Sequence, residues 1–193
     1  LDSVVAHIRQ RSGKMMRPIL VLLVARLYGV VSPATLHAAV SLELLHNASL
    51  VHDDVVDEST ERRGQLSVNA IFNNKVAVLT GDYLLATSLV HAELTNSHQI
   101  IRLVSSLGQD LADGELLQLS NVSNHSFSET VYFDVIRKKT AALFAACTEA
   151  AAYSVGVSEE EVKLARLLGE YIGICFQIKD DIFDYFDSKE IGK

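Results

Sequence analysis

The fold of this chain is decided by residues 32–57, which read SPATLHAAVSLELLHNASLVHDDVVD. Ser32 followed by Pro33 is typical of a helix start, because serine caps the first turn and proline fits its first position. Apolar residues then recur at helical spacing as far as the acidic end of the stretch. We therefore predict one long helix that begins at Ser32-Pro33 and runs to about Asp57.

The rest of the chain has the same helical periodicity. The other predicted elements are the tail of a helix over 1–11, a short apolar helix over Arg17–Tyr28, a polar loop over Glu58–Gln65, long helices over 75–95 and 98–119, and two helices opened by S-x-x-E capping boxes at Ser126 and Ser158. The helix that follows Ser126 should run to about Ser154 and end at Gly156, a typical C-terminal glycine. The helix that follows Ser158 should continue into a second acidic segment.

Composition agrees with a single all-α domain over residues 1–193. The chain is 49% hydrophobic and has only two prolines and ten glycines, which favours helices over a turn-rich β fold. The formal net charge of −7 argues against a nucleic-acid partner. Cys147 and Cys175 lie far apart in apolar stretches, so we predict buried free thiols in a reducing, cytoplasmic compartment. We expect no membrane span and no signal peptide.

Six aspartates occur in two copies of one short pattern. The first aspartate cluster is Asp53, Asp54 and Asp57, and the second aspartate cluster is Asp180, Asp181 and Asp184. On a helix, the first and last aspartate of each cluster share one face about 5–6 Å apart. Like charges there repel, and a helix C-terminus already carries partial negative charge. Hard oxygen ligands gathered in this way suit Mg²⁺, which also bridges to substrate phosphates.

Basic residues accompany the acidic clusters. Arg62 and Arg63 follow the first cluster, Lys14 and Arg17 lie near the start of the chain, and Lys138-Lys139 precede Thr140. Arginine binds phosphate oxygens bidentately, and lysine acts as a point charge. Carboxylates that bind metal, beside cations that bind the same phosphates, indicate a metal-dependent enzyme acting on a phosphorylated substrate.

At these motifs the chain resembles the trans-prenyltransferases, the all-trans polyprenyl diphosphate synthases. The resemblance depends on Leu50–Asp57 with Arg62-Arg63-Gly64, on Phe176–Asp184, and, in the same order along the chain, on Gly13-Lys14 with Arg17-Pro18, Gly81–Ala86 and Lys139-Thr140. One departure is Met15-Met16, where the family often has a basic residue followed by leucine. The resemblance implies an isoprenoid-synthase-type bundle of long antiparallel helices around a central cavity.

The resemblance also implies the roles of individual residues. Asp53 and Asp57, with Asp180, would hold several Mg²⁺ ions on an allylic diphosphate, and Asp54, Asp181 and Asp184 would assist directly or through water. The residues implied to contact the allylic diphosphate are Arg62, Lys139, Thr140, Gln177, Lys179 and Lys193, and those implied to hold isopentenyl diphosphate are Lys14, Arg17, His46 and Arg63. Catalysis would depend chiefly on the first cluster with Arg62, Lys139 and Asp180.

The implied reaction is head-to-tail condensation of isopentenyl diphosphate with an allylic diphosphate after Mg²⁺-assisted ionisation. Ala48 and Ser49 lie about one turn before Asp53. In the family, bulky side chains at this depth stop short products, so small ones predict an all-trans product longer than farnesyl. A geranylgeranyl or farnesyl synthase is the alternative within the family.

The family further implies a homodimer through bundle helices, with residues 75–119 as candidates, and transient membrane contact through the product. Family members begin earlier and continue through further helices after the second cluster, so we expect this chain to be part of a longer protein. Three other classes stay open at this point: a class I terpene cyclase, a non-catalytic subunit of a heteromeric synthase, and a helical metal-binding scaffold. Retention of both clusters and of a second set of cations favours the synthase.

Overall fold

The structure is a computed structural model that describes residues 2–10, 13–62, 64–123 and 128–186. Its helices are α1 (Asp2–Gln10), α2 (Met16–Tyr28), α3 (Pro33–Val56), α4 (Val68–Phe72), α5 (Asn74–Glu93), α6 (His98–Ser123), α7 (Glu129–Ile136), α8 (Ala142–Val155) and α9 (Glu159–Tyr185). A π-helical turn, Arg137–Ala141, joins α7 to α8. Two short strands, β1 (Glu61–Arg62) and β2 (Gln65–Leu66), pair antiparallel. The predicted all-α class is confirmed.

Two helix starts and one helix end lie at the residues that local sequence signals predict. Ser32 caps α3: its hydroxyl accepts from the Thr35 backbone N–H, and the Thr35 hydroxyl accepts from the Ser32 N–H. Ser158 and Glu161 form the same reciprocal box at the start of α9. The α8 helix ends at Gly156, whose φ of 72° is left-handed, a conformation in which glycine is not strained.

Two predictions of local structure need correction. The helix expected from Ser126 begins at Glu129, with Ser128 as its N-cap, and the π-helical turn interrupts it; Ser126 itself lies outside the described residues. The expected polar loop 58–65 contains the β1–β2 hairpin, because Gly64 takes a φ of 72° and lets the chain turn back.

Helix α8 is the centre of the bundle. Nearly all of it from Leu143 to Ala152 is buried, and it packs against α2, α3, α6 and α9. The many alanines of α8 let neighbouring helices approach it closely, and α9 has glycines at its points of contact. A Cβ on Gly173 would lie 2.5 Å from the Ala141 Cα, and one on Gly169 would lie 2.5 Å from the Phe144 carbonyl oxygen. The packing of α9 against α8 and the π-helical turn therefore brings backbone close to backbone at two positions that glycine permits.

Helices α3 and α5 form a second close pair and run antiparallel. The Ser41 hydroxyl of α3 donates to the Ser88 carbonyl of α5 at 2.9 Å. Near the other end of the pair, the His52 ring lies over Gly81, where a Cβ would come within 2.1 Å of His52 Nε2. The same nitrogen lies 3.1 Å from the Val78 carbonyl, so His52 has a structural contact with α5.

Two further features bear on the class of protein. In the described part of the chain, no helix combines the length and the apolar character that crossing a bilayer needs. Both cysteines are free thiols; Cys147 is buried as predicted, but Cys175 is exposed, because its position on α9 faces away from α8. The prediction of burial for Cys175 was therefore wrong.

Candidate active site

The first aspartate cluster lies at the C-terminal end of α3, and its three members have different surroundings. Asp54 is 1% exposed, and Arg62 Nε donates to its Oδ1 at 2.6 Å. The β1–β2 hairpin brings Arg62 back over the helix end for this contact. Asn69 Nδ2 donates to the Asp54 carbonyl at 3.2 Å and to the Ser59 carbonyl at 3.0 Å. Asp54 thus anchors the hairpin, and its predicted role near metal stays a prediction.

Asp53 is the member with the perturbed acidity. The pKa of Asp53 is raised to about 6, chiefly by burial; the carboxylates of Glu115 and Asp57 add to this rise, and the cations of Lys139 and Arg62 oppose it. Asp57 is exposed and caps the helix; its N–H donates to the Asp53 carbonyl at 2.8 Å. Lys139 and Arg62 compensate the charge of this half-buried carboxyl at a helix C-terminus only in part, and a bound cation would add to that compensation.

The π-helical turn brings Lys139 towards the first cluster. Lys139 Nζ lies 2.5 Å from Glu115 Oε2 and 3.1 Å from Gln118 Oε1, both on α6. Gly114 permits this approach, because a Cβ there would lie 3.3 Å from the Lys139 backbone nitrogen. Since Lys139 and Glu115 both influence Asp53 electrostatically, α6 and the turn form one wall of the space beside it.

The next residue of the turn reaches the second cluster. The Thr140 hydroxyl donates to Gln177 Oε1 at 2.7 Å, and Gln177 Nε2 donates to Asp181 Oδ1 at 2.8 Å. The Tyr132 hydroxyl donates to the other oxygen of Asp181. The structure therefore connects Thr140, Gln177, Tyr132 and Asp181 in one polar network. Thr140 adjoins Lys139, whose charge acts on Asp53, so the same turn has contacts with the surroundings of both clusters. Of the other members, Asp180 is half-buried and Asp184 exposed.

Sequence reasoning missed Tyr132. Burial, the hydrogen bond to Asp181 and the charge of that residue together raise the pKa of Tyr132 to about 12, so the hydroxyl stays a donor. The available signal was its position seven residues before Lys139, two helical turns on the same face. The π-helical turn between them breaks that simple periodicity.

Of the residues predicted to hold isopentenyl diphosphate, the structure describes Arg17, His46 and Lys14. The Arg17 guanidinium lies 5.1 Å from the Phe144 ring centroid, and His46 is 8% exposed on α3. Burial raises the pKa of Cys147 to about 12, while Arg17 lowers it and Glu43 raises it. Arg17 therefore lies close to the segment of α3 that carries His46 one turn after Glu43. Lys14 is exposed.

Three further residues predicted to contact a diphosphate are Arg63, Lys179 and Lys193. Arg63 and Lys193 lie outside the described residues. Lys179 is exposed, with its Nζ 5.4 Å from the Phe183 ring centroid. The roles of all three in diphosphate binding stay predictions.

The two residues predicted to set product length lie inside the bundle. Ala48 is 2% exposed and packs in a cluster with Val51 and Leu84, between α3 and α5. Ser49 is half-buried and donates to the His46 carbonyl at 2.9 Å. Ala48 is small where the interior is closely packed, so a larger side chain there would enter occupied space, whereas at the half-buried Ser49 it would enter partly open space.

The fit of these residues to magnesium follows from their chemistry. Over the ranges that the structure describes, no group of three or more His, Cys, Asp and Glu is arranged to hold an ion. The donor set nevertheless suits Mg²⁺, which takes one or two protein carboxylates and completes its shell with water and substrate phosphates. The Asp53 carboxyl, whose pKa is raised to about 6, and the Asp57 carboxyl beside it are such a donor pair.

The comparisons with known proteins agree with this geometry. The sequence model of the family described as polyprenyl synthetase matches residues 1–193. The octaprenyl diphosphate synthase of Escherichia coli K12 is 37% identical over 188 residues, which cover 97% of this chain and 58% of that protein. The chain therefore belongs to the polyprenyl synthetase family.

Solved structures show the same fold. A crystal structure of a geranylgeranyl pyrophosphate synthase from Bacteroides thetaiotaomicron is 80% identical, with a TM-score of 0.86, and the match covers 100% of this chain and 59% of that one. A polyprenyl synthase from Caulobacter crescentus CB15, complexed with calcium and isoprenyl diphosphate, is 36% identical, with a TM-score of 0.91, and covers 95% of this chain and 56% of that one. The chain spans little more than half the length of these relatives.

Proposed function

We propose that the protein to which this chain belongs is a prenyltransferase that condenses isopentenyl diphosphate with an allylic diphosphate. The observation that carries the proposal is the π-helical turn: the charge of Lys139 acts on Asp53 of the first aspartate cluster, and Thr140 is joined through Gln177 to Asp181 of the second. A substrate with a charged diphosphate and an apolar chain fits a site where cations and carboxylates meet at one end of an apolar bundle.

Mg²⁺ is the cofactor we propose, with Asp53, Asp57 and Asp180 as its principal protein ligands and the other three aspartates assisting directly or through water. When bound, the ions would neutralise the diphosphate and favour its departure. The relative from Caulobacter crescentus, crystallised with calcium and isoprenyl diphosphate, supports a divalent ion beside this type of ligand. The raised pKa of Asp53 supports a cation at the same place.

The residues of this chain would act mainly by binding and orientation. Lys139, held by Glu115 and Gln118, would direct its ammonium group at a phosphate oxygen of the allylic substrate. Arg62 would reach the same diphosphate from the hairpin that Asp54 anchors. Arg17 and His46 would hold isopentenyl diphosphate at the α2–α3 side. The homoallylic double bond would then attack the allylic carbocation, and the released diphosphate would accept the final proton.

We propose a product longer than farnesyl diphosphate, because Ala48 and Ser49 leave the α3 face below Asp53 without a bulky side chain. The relatives named octaprenyl and geranylgeranyl synthases both make products of this description by their names. A cytoplasmic location and transient membrane contact through the product remain predictions.

We also propose a homodimer that forms through α5. Large apolar side chains recur at helical spacing on its outer face, among them Leu79 at 68% and Val90 at 56% exposed, with Tyr83 between them. A stripe of this kind is typical of a helix that packs against a partner. Sedimentation of the full-length protein, with Leu79→Glu as the disrupting variant, would test the assembly.

The activity is tested by incubating the full-length protein with labelled isopentenyl diphosphate, an allylic primer and Mg²⁺. We expect labelled polyprenyl diphosphate, and a loss of at least about a hundredfold in rate for Lys139→Met. The matched control is Lys163→Met, since Lys163 is exposed on α9. Ionisation without chain growth would favour a terpene cyclase. Activity only after a second protein is added would favour a subunit of a heteromeric synthase, and no reaction at all would favour a scaffold.

A further inference from the structure

Two histidines meet on the α3–α5 pair, at the end of α3 opposite to the first aspartate cluster. His37 Nδ1 lies 3.1 Å from His91 Nδ1, and the two ring centroids are 5.3 Å apart at an interplanar angle of 38°. Both side chains are half-buried, so their edges reach the surface. Sixteen residues separate His37 from Asp53 along α3, a distance of about 24 Å.

The backbone beneath this pair is fixed. One turn from the histidines, the Ser41 hydroxyl donates to the Ser88 carbonyl at 2.9 Å, and the two serine hydroxyls lie 3.2 Å apart. Both serines are fully buried. Since His37 is four residues before Ser41 and His91 three residues after Ser88, the contact holds both rings in register. The pair is therefore pre-organised by packing that does not depend on the rings themselves.

We propose that His37 and His91 form a bidentate site for a divalent transition-metal ion of the Zn²⁺ type. Imidazole nitrogens bind zinc at about 2.0–2.1 Å. Two such nitrogens on one ion are about 2.9 Å apart at a right angle and about 3.3 Å apart in a tetrahedral arrangement. The observed 3.1 Å lies between these values. An ion can therefore enter with rotation of the rings and without movement of either helix.

The protons balance in this exchange. In the metal-free pair, one Nδ1 carries a hydrogen and donates it to the other Nδ1. When the ion binds, that hydrogen moves through solvent to Nε2 of the same ring, so both rings stay neutral and each presents a lone pair. Binding releases no proton from the pair, and the ion replaces the hydrogen bond with two coordinate bonds.

The ligand type separates this site from the aspartate clusters. Imidazole suits Zn²⁺, Ni²⁺ and Cu²⁺, whereas carboxylates and water suit Mg²⁺. Two protein ligands leave the remaining positions to water, so the site would be modest in affinity and open to exchange. Its consequence would be structural, because the ion would join α3, which carries the first cluster, to α5. The chain's net charge of −7 favours cations near its surface.

The test is calorimetric titration of the full-length protein with ZnCl₂ in excess Mg²⁺, which occupies carboxylate sites. We expect one ion per chain and a higher melting temperature with Zn²⁺. Zn²⁺ affinity should be at least about tenfold weaker in both His37→Ala and His91→Ala, because losing even a residue that only supports a metal ligand has an effect of this size. The matched control is His98→Ala, since His98 is an exposed histidine at the start of α6. It should bind Zn²⁺ as the wild type does.

A second measurement does not depend on the variants folding. The electron paramagnetic resonance spectrum of Cu²⁺ bound to the wild type should show splitting from two equivalent nitrogens. If an alanine variant fails to fold, His37→Gln keeps a similar volume without a second ring. Zn²⁺ affinity unchanged in the histidine variants, or a Cu²⁺ spectrum without nitrogen splitting, would show that the pair is a hydrogen-bonded contact only and would overturn the proposal.

Discussion

Lys139 and Thr140 are adjacent in sequence, but their side chains bind helices on opposite sides of the π-helical turn. Lys139 Nζ lies 2.5 Å from Glu115 Oε2 on α6, and Thr140 Oγ1 lies 2.7 Å from Gln177 Oε1 on α9. A π-helical turn widens the backbone and redirects successive side chains, and such turns are frequent at functional sites. Here the turn gives each acidic cluster a neighbour from the same short segment.

The hydrogen bond from Thr140 to Gln177 should contribute measurably to stability. Thr140→Val keeps the shape of the side chain and removes the donor, so we expect a loss of about 1 kcal/mol in the free energy of unfolding. Urea denaturation measures it. Thr87→Val is the control, because the Thr87 hydroxyl donates only within its own helix, to the Tyr83 carbonyl. Equal losses in the two variants would mean that the contact between the turn and α9 contributes little.

The close packing of α9 predicts a strong effect at Gly173. A Cβ there would lie 2.5 Å from the Ala141 backbone, so Gly173→Ala must separate α9 from the turn. We expect a loss of about 3 kcal/mol and weaker binding of the allylic diphosphate. Gly108→Ala is the matched control, since nothing lies within 4 Å of its added Cβ and alanine favours helices by about 0.5–1 kcal/mol. The claim fails if both substitutions stabilise.

Local signals explain what the sequence could predict. The start of α3 at Ser32, the start of α9 at Ser158 and the end of α8 at Gly156 each depend on hydrogen bonds or dihedral angles within a few residues. The sequence therefore contains enough information for these boundaries. Apolar periodicity is likewise visible in the sequence, and it predicts the long helices and their order along the chain.

The π-helical turn and the partners of individual aspartates could not be predicted in this way. Five residues of π-helix barely alter the apolar pattern, so the long helix expected up to Ser154 looked continuous. The burial of Asp54 depends on where the hairpin places Arg62, and the contact of Tyr132 with Asp181 joins residues 49 positions apart. Such tertiary contacts leave no signal in local spacing.

Product length should respond to the side chains below Asp53. Ser49→Phe would place a ring in the half-buried position, and Ala48→Phe would place one in a closely packed position, so both should shorten the main product. Chromatography of the dephosphorylated products measures the change. Ala112→Phe, at an exposed position on α6, is the control and should leave the product length as it was. An unchanged product in both interior variants would refute the role of this face.

The Asp54–Arg62 pair should be far more important for stability than an exposed ion pair. Arg62→Met leaves the Asp54 carboxylate buried without its cation, and we expect a loss of about 3–5 kcal/mol, measured by chemical denaturation. Arg166→Met removes a pair with Glu149 in which the arginine is half exposed, and should cost about 1 kcal/mol or less. The double variant Asp54→Asn with Arg62→Met should recover part of the loss. Similar costs for the two arginines would contradict the burial argument.

The raised pKa of Asp53 gives a pH dependence of definite sign in metal-free protein. Below the ordinary value of 3.8 the carboxyl is protonated in the folded and the unfolded chain; between 3.8 and about 6 it is protonated only in the folded chain, so stability falls as pH rises through this window. Asp53→Asn removes the effect. We expect the variant's advantage in unfolding free energy to grow from pH 4 to pH 7, reaching about 1 kcal/mol after allowance for solvent screening. Denaturation in a chelator across this range measures it, and an advantage that does not change with pH would show that Asp53 is not desolvated in solution.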